Sequence, residues 1–221
     1  MLEKMHVQIL LNTTADAELI KLYEPDTVII ATGSRPFIPP IQGADQDFVV
    51  AAHDVLLGKT EPGNRVVVIG GGLVGAETAD MLGQQCEQVT IIEMLPQIMK
   101  DGEAAPTKYM KERFFQNGVQ IHTSTKLLEI GDHTVTAEKD GERFVLENID
   151  TVIIAVGVKT DRTLLDSMEH VSCKVLKVGD ANGVKKRISW NPGRIRGRIE
   201  CVKKRRGKNG RSSKRLSKAG T

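Results

Sequence analysis

The sequence predicts an α/β protein built on a parallel sheet with helices and a β-meander, and three observations carry that expectation. Four short apolar runs, at residues 27–31, 65–69, 89–92 and 151–156, read as strands, the first and the last of them as buried ones. The second run passes through Gly70-Gly71-Gly72-Leu73-Val74-Gly75 into a helical stretch, and the third closes on an acidic residue, Glu93. Beyond Gly118, short runs separated by Gly-Asp and Asp-Gly pairs read as hairpins.

Taken in order, residues 7–11 read as a strand and residues 27–31 as a fully buried one. Thr32-Gly33-Ser34-Arg35-Pro36 breaks that run, and Pro36, Pro39 and Pro40 hold the next segment extended. Strand 65–69, helix 73–84 and strand 89–92 form one unit, followed by a helix over 104–117 whose Tyr109 and Phe114 are expected to face a core. Gly118 is placed to end it. Strands follow at 119–123, 126–130, 134–139 and 143–146, with Gly131-Asp132 and Asp140-Gly141 as turns. Residues 151–156 form a second buried strand, broken by Gly157 as Gly33 breaks the first. The segments from Asp26 to Gly33 and from Asp150 to Gly157 are near copies bracketing the glycine unit.

Each glycine of that unit has a mechanical task. Gly70 permits the turn out of the strand, Gly72 lets a pyrophosphate approach the backbone, and Gly75 lets the helix lie close to the sheet. Gly71, Leu73 and Val74 complete the turn, and the helix aims its first amides and positive dipole end at phosphate. Glu93 stands 23 positions after Gly70, where a carboxylate accepts from both hydroxyls of an adenine ribose. A 2′-phosphate would meet its charge, and Met94-Leu95-Pro96 supplies no arginine, so the expected ligand is NAD(H) over its phosphorylated form. Glu77, one turn into the helix, reads either as a contact to the nicotinamide ribose region or as a complement to the helix dipole.

The net charge of +3 averages two unlike pieces. Residues 1–184 carry 16 Lys and Arg against 27 Asp and Glu, a net −11, while residues 185–221 carry 15 against 1, a net +14. So basic a tail, with Trp190 its sole aromatic, is expected to be disordered. It reads as a frameshift product entered at Lys185-Lys186 or as a genuine basic extension, and a one-base shift in back-translation can yield an acidic amphipathic stretch across residues 187–203. Cys86, Cys173 and Cys201 form no paired motif, which points away from a disulfide framework, a metal site or a disulfide reductase and toward a cytoplasmic setting. No run approaches 18 apolar residues and the first six residues lack an apolar signal core, so no membrane association is expected.

These motifs resemble the pyridine-nucleotide and flavin-linked reductases in which an NAD domain is inserted into an FAD domain. The stretch from Val68 to Ala79, with Ile91-Ile92-Glu93-Met94-Leu95-Pro96, looks most like the C-terminal half of NADH:flavin oxidoreductases of the 2,4-dienoyl-CoA reductase and enoate reductase type. The resemblance implies a partial FAD-binding domain at 1–47, an NAD(H)-binding domain at 48–149, a return to the FAD domain at 150–186 and a tail at 187–221. It implies FAD contacts at Thr32, Gly33, Gly157 and Asp180, the last in Val178-Gly179-Asp180-Ala181, although Asp180 also reads as an ordinary turn residue. Arg35 reads as a contact to phosphate or flavin edge, or as an exposed residue of a linker. The family's own FAD glycine motif, flavin barrel and iron–sulfur cysteines do not occur in this sequence, so the chain is expected to be an incomplete part, inactive alone, of a parent that passes hydride from NADH to FAD. No catalytic acid or base and no metal ligand is assigned. The alternative is a non-enzymatic NAD-binding protein with a nucleic-acid-binding tail, although nucleic acid is not the expected partner.

Overall fold

Asp16 opens the first helix, α1 (Ala17–Tyr23), by accepting from the Leu19 N–H at 2.8 Å, and Glu24 ends it in the left-handed region. There follow β1 (Thr27–Ile30), β2 (Ser34–Pro36), β3 (Val49–Ala51) and a short helix, α2 (Ala52–Leu56). The glycine unit appears as β4 (Arg65–Ile69), α3 (Leu73–Leu82) and β5 (Gln88–Ile92). Next come α4 (Ala104–Gln116), β6 (Gln120–His122), β7 (Thr125–Gly131), β8 (Thr134–Lys139), β9 (Glu142–Leu146) and β10 (Thr151–Ile154). The fold closes with β11 (Val158–Thr160), α5 (Thr163–Ser167), β12 (Lys174–Lys177) and a 3-10 turn at Gly179–Asn182. The computed structural model describes residues 5, 7–168, 170 and 172–184; the tail expected at 187–221 lies outside the described residues.

Five strands form one parallel sheet in the order β3-β10-β4-β5-β6. Alternation along each central strand feeds two apolar layers. Val66, Val68, Val89, Ile91 and Ile153 join α2, α3 and α4 on one face, through Ala76, Ala79, Leu82 and Phe114. Val67, Ile69, Ile92, Val152 and Ile154 face the antiparallel meander β7-β8-β9, through Leu127, Ile130, Val135 and Ala137. Both faces are covered, which is why these runs show no polar alternation. Asp140 and Gly141, at φ 54° and 84°, make the two-residue turn between β8 and β9. The neighbouring turn falls on Asp132 and His133, one residue later than the Gly131-Asp132 pair expected, because Gly131 still pairs with Thr134.

A second group of strands lies outside that sheet. β1 pairs in parallel with β12, and β2 pairs antiparallel with β11. α1 packs there through Ile20, against Ile30, Met168 and Ala181.

Several expectations change. Residues 7–11 form no strand and pair with no strand among the described residues, and their apolar side chains are exposed. β1 is not fully buried, with Ile29 51% exposed. Tyr109 points to solvent at 62%, while Phe114 alone of that pair enters the core. The boundary expected at residue 150 cuts the main sheet, since β10 lies between β3 and β4; the chain leaves that sheet only after Ile154.

Candidate functional site

The Gly70–Gly75 turn leaves the C-terminal end of β4, beside the end of β10. Here the strand order reverses, because β5 and β6 extend to one side of β4 and β10 to the other. Such a switch point opens a crevice at the strand ends. Each glycine can be tested by the Cβ it lacks. At Gly70 (φ 101°) a Cβ would stand 2.8 Å from the Ala155 carbonyl oxygen, and at Gly75 it would collide with the Gly70 carbonyl oxygen. At Gly72 a Cβ would meet nothing within 4 Å, and its φ of −65° suits any residue. The chain itself therefore demands Gly70 and Gly75, whereas nothing inside the fold demands Gly72. A glycine required only by close external approach is what a phosphate-binding turn contains.

The helix behind it is set up for an anion. Gly72 is the N-cap of α3 and no side chain caps the first turn, so its amides face the crevice with the positive dipole end. The turn is clamped by its neighbours: Gly70 N–H donates to Ile92 O at 2.8 Å, and Met99 N–H donates to Gly71 O at 2.7 Å. Glu93 accepts from Gly71 N–H at 2.6 Å through Oε2 and from Leu95 N–H at 2.8 Å through Oε1. Each carboxylate oxygen keeps a lone pair for a further donor. Glu77 is exposed one turn along α3.

The remaining predicted residues gather elsewhere, on the β2–β11 ribbon and the turn after β12. Ser34 Oγ donates to Asp180 Oδ2 at 3.1 Å, and Thr160 Oγ1 donates to the Asp180 carbonyl at 2.9 Å. Thr32 Oγ1 reaches Asp161 O at 3.3 Å, Gly33 O accepts from Asp161 N–H at 3.2 Å, and Gly157 O accepts from Phe37 N–H at 3.0 Å. Arg35 is no idle linker residue: its Nε lies 2.8 Å from Asp161 Oδ2. Hydrogen bonds from the backbone and side chain of Thr163, with Arg35 next, hold the Asp161 carboxyl below its ordinary range. Ser34 and Asp161 were not legible as site neighbours, because Ser34 stands 146 positions from Asp180 and Asp161 126 from Arg35; Met99, bonded to Gly71, belongs to no motif that would have marked it. Cys86 packs on the helical side of the main sheet and Cys173 on the α1 cluster, so these two thiols form no pair. Burial, and then the charge of Asp150, push the Cys86 thiol up.

The family model for pyridine nucleotide-disulphide oxidoreductases aligns with residues 4–184. The chain belongs to that family. Among its relatives, the bilirubin reductase of Mediterraneibacter gnavus is 39% identical over 82% of this chain and 28% of its own length. The NADH oxidase of Thermoanaerobacter brockii is 38% identical over 85% of this chain and 30% of its own. The chain thus spans less than a third of these relatives. A 2-naphthoyl-CoA reductase complex shares the fold at a TM-score of 0.75 and 30% identity, over 84% of this chain and 28% of the other.

FAD and NAD(H) are the cofactors that membership in the pyridine nucleotide-disulphide oxidoreductases implies. The residues present fit a dinucleotide phosphate at Gly72 and the uncapped first turn of α3. For the flavin the fit is partial, because no second glycine motif accompanies the Asp180 group. Among the described residues, no helix is long and apolar enough to cross a membrane, and no acidic, histidine or cysteine cluster is built to hold a metal ion.

Proposed function

We propose that this chain is the NAD(H)-binding part of a flavin-dependent oxidoreductase of the 2,4-dienoyl-CoA reductase and enoate reductase type, acting in the cytoplasm. The open space at Gly72, facing the amides of α3 and flanked by Glu93, is the observation that carries this reading. Gly70, Gly71, Gly72, Leu73, Val74 and Gly75 would hold the pyrophosphate, and Glu93 the adenine ribose, through the lone pairs its backbone partners leave free. Thr32, Gly33, Gly157 and Asp180 would line the flavin side. When bound, the nicotinamide and flavin supply hydride transfer. The protein's part is to bind and orient them, and no side chain of this chain is assigned a proton.

A larger parent is part of the proposal. Parallel strands are normally buried on both faces, yet the β1–β12 pair leaves Ile29 51% and Leu176 36% exposed. That supports further chain packing on this pair, as a larger flavin-binding domain would supply; the N-terminal flavin and iron–sulfur half of the proposed parent rests on the family resemblance alone. The names of the two relatives, bilirubin reductase and NADH oxidase, support an electron acceptor reduced by the intact protein.

Titration of the purified chain by NADH fluorescence tests the proposal. NADH should bind in preference to NADPH, and Glu93→Ala should narrow the gap by on the order of 1–3 kcal/mol. Equal or tighter NADPH binding by the unaltered chain would remove Glu93 from its assigned place. Protein purified yellow, with stoichiometric FAD, would contradict the partial flavin site.

A further inference from the structure

The carboxylate of Glu93 is committed to backbone before any ligand arrives. Its own main chain is held at both ends, since Glu93 N–H donates to His122 O and Glu93 O accepts from Thr125 N–H, each at 2.9 Å. From that fixed base the side chain reaches across to the turn after the neighbouring strand. Oε2 takes the Gly71 N–H at 2.6 Å, while Oε1 takes the Leu95 N–H at 2.8 Å. The carbonyl on the other side of Gly71 is taken by Met99 N–H at 2.7 Å. Gly71 is therefore gripped at both its N–H and its C=O, with Ile98 packed against the place its Cβ would occupy. The next residue is Gly72, the N-cap of α3, where a phosphate would approach.

We propose that Glu93 is a positioning residue for the phosphate-binding turn, in addition to any contact with ribose. Resting on the NAD(H) reading given above, the inference separates two contributions usually merged in one acid. A carboxylate that only read ribose hydroxyls would be silent toward a ligand lacking them. A carboxylate that also holds Gly71 keeps Gly72 and the first amides of α3 aimed at phosphate whatever sugar follows. A glutamine here accepts through one atom only, and its NH₂ group would face one of the two backbone N–H donors.

The test pairs Glu93→Gln and the unaltered full chain with two ligands, NADH and an NADH analogue whose adenine ribose lacks both hydroxyls. With positioning, the variant binds the analogue roughly tenfold more weakly than the unaltered chain does, the loss expected for a charge-assisted hydrogen bond left unmade. Equal affinity of both proteins for the analogue, with NADH alone weakened, overturns the proposal. Hydrogen exchange at the Gly71 and Leu95 amides gives a second readout without ligand. Glu93→Gln should speed exchange at both sites while amides within β5 keep their protection, and unchanged protection at Gly71 is a refutation. Should Glu93→Gln not fold, Glu93→Asp, which keeps the charge but shortens the reach, takes its place in both measurements. If the unaltered chain does not bind NADH, the NAD(H) reading fails and the exchange result alone decides the positioning of the turn.

Discussion

Replacing Gly72 and Gly75 in turn, each by alanine, should separate a glycine that a ligand needs from one that the fold needs. At Gly72 the φ of −65° is one alanine adopts, and its methyl would enter open space. The weaker N-cap and the reduced freedom of the unfolded chain oppose each other, so stability should stay within about 1 kcal/mol. Binding should suffer if the proposed site is right, because the methyl would enter the open space in front of the α3 amides where the phosphate is proposed to sit. Loss of one charge-assisted hydrogen bond corresponds to about 1.5–3 kcal/mol, or about 10- to 150-fold in the Kd for NADH. At Gly75 the methyl would strike the Gly70 carbonyl oxygen and stand 3.1 Å from Ala155 Cβ. Neither neighbour is a flexible tip, so strand, turn and helix must separate, at about 1–3 kcal/mol. For a chain of this size that lowers Tm by about 2–12 °C. Thermal unfolding followed by circular dichroism and NADH fluorescence titration measure the two effects. The reasoning is refuted if Gly72→Ala costs as much Tm as Gly75→Ala, or if it leaves the Kd for NADH unchanged.

Phe114, the buried residue of α4 at 1% exposed, should cost about 3–5 kcal/mol when cut to alanine, read as a shifted urea midpoint. Burial, and then the charge of Lys139, lower the His122 pKa from 6.5. The unfolded chain therefore binds more protons just below that pH. Stability from the neutral ring should be full above pH 6.5 and fall as pH drops through the folded value; His122→Gln should flatten that part of the profile in urea melts between pH 5 and 8. Sequencing the gene across Lys185 should reveal a shifted frame encoding an acidic amphipathic helix; a shifted frame without one would mark residues 187–221 as a genuine basic extension.

The glycine unit was legible because its constraints are local. A strand, three spaced glycines, a helix and an acid lie within 29 residues, from Arg65 to Glu93, and each residue answers a neighbour a few positions away. The helix over α4 and the Asp140-Gly141 turn were legible for the same reason. Asp180 and Arg35 were singled out, but their partners Ser34, Thr160 and Asp161 were not, because these meet across the β2–β11 ribbon, with Arg35 and the Asp161 that pairs with it 126 positions apart. The short strands β2, β3, β11 and β12, three or four residues each, carry too little pattern to stand apart from loops.

One tetrapeptide separates what the sequence determines from what the tertiary structure decides. Thr-Val-Ile-Ile occurs at residues 27–30 and again at 151–154, each after an aspartate and before an alanine. Both copies form parallel strands of four residues, β1 and β10, as their β-branched side chains favour. All four residues of β10 are buried, whereas in β1 only Ile30 is. The difference is not in the peptide. β10 lies between β3 and β4, with helices over one face and the meander over the other, while β1 pairs with β12 and leaves Ile29 to solvent. Backbone preference is set by each residue's own side chain; burial depends on which distant segments come to lie on the strand's two faces.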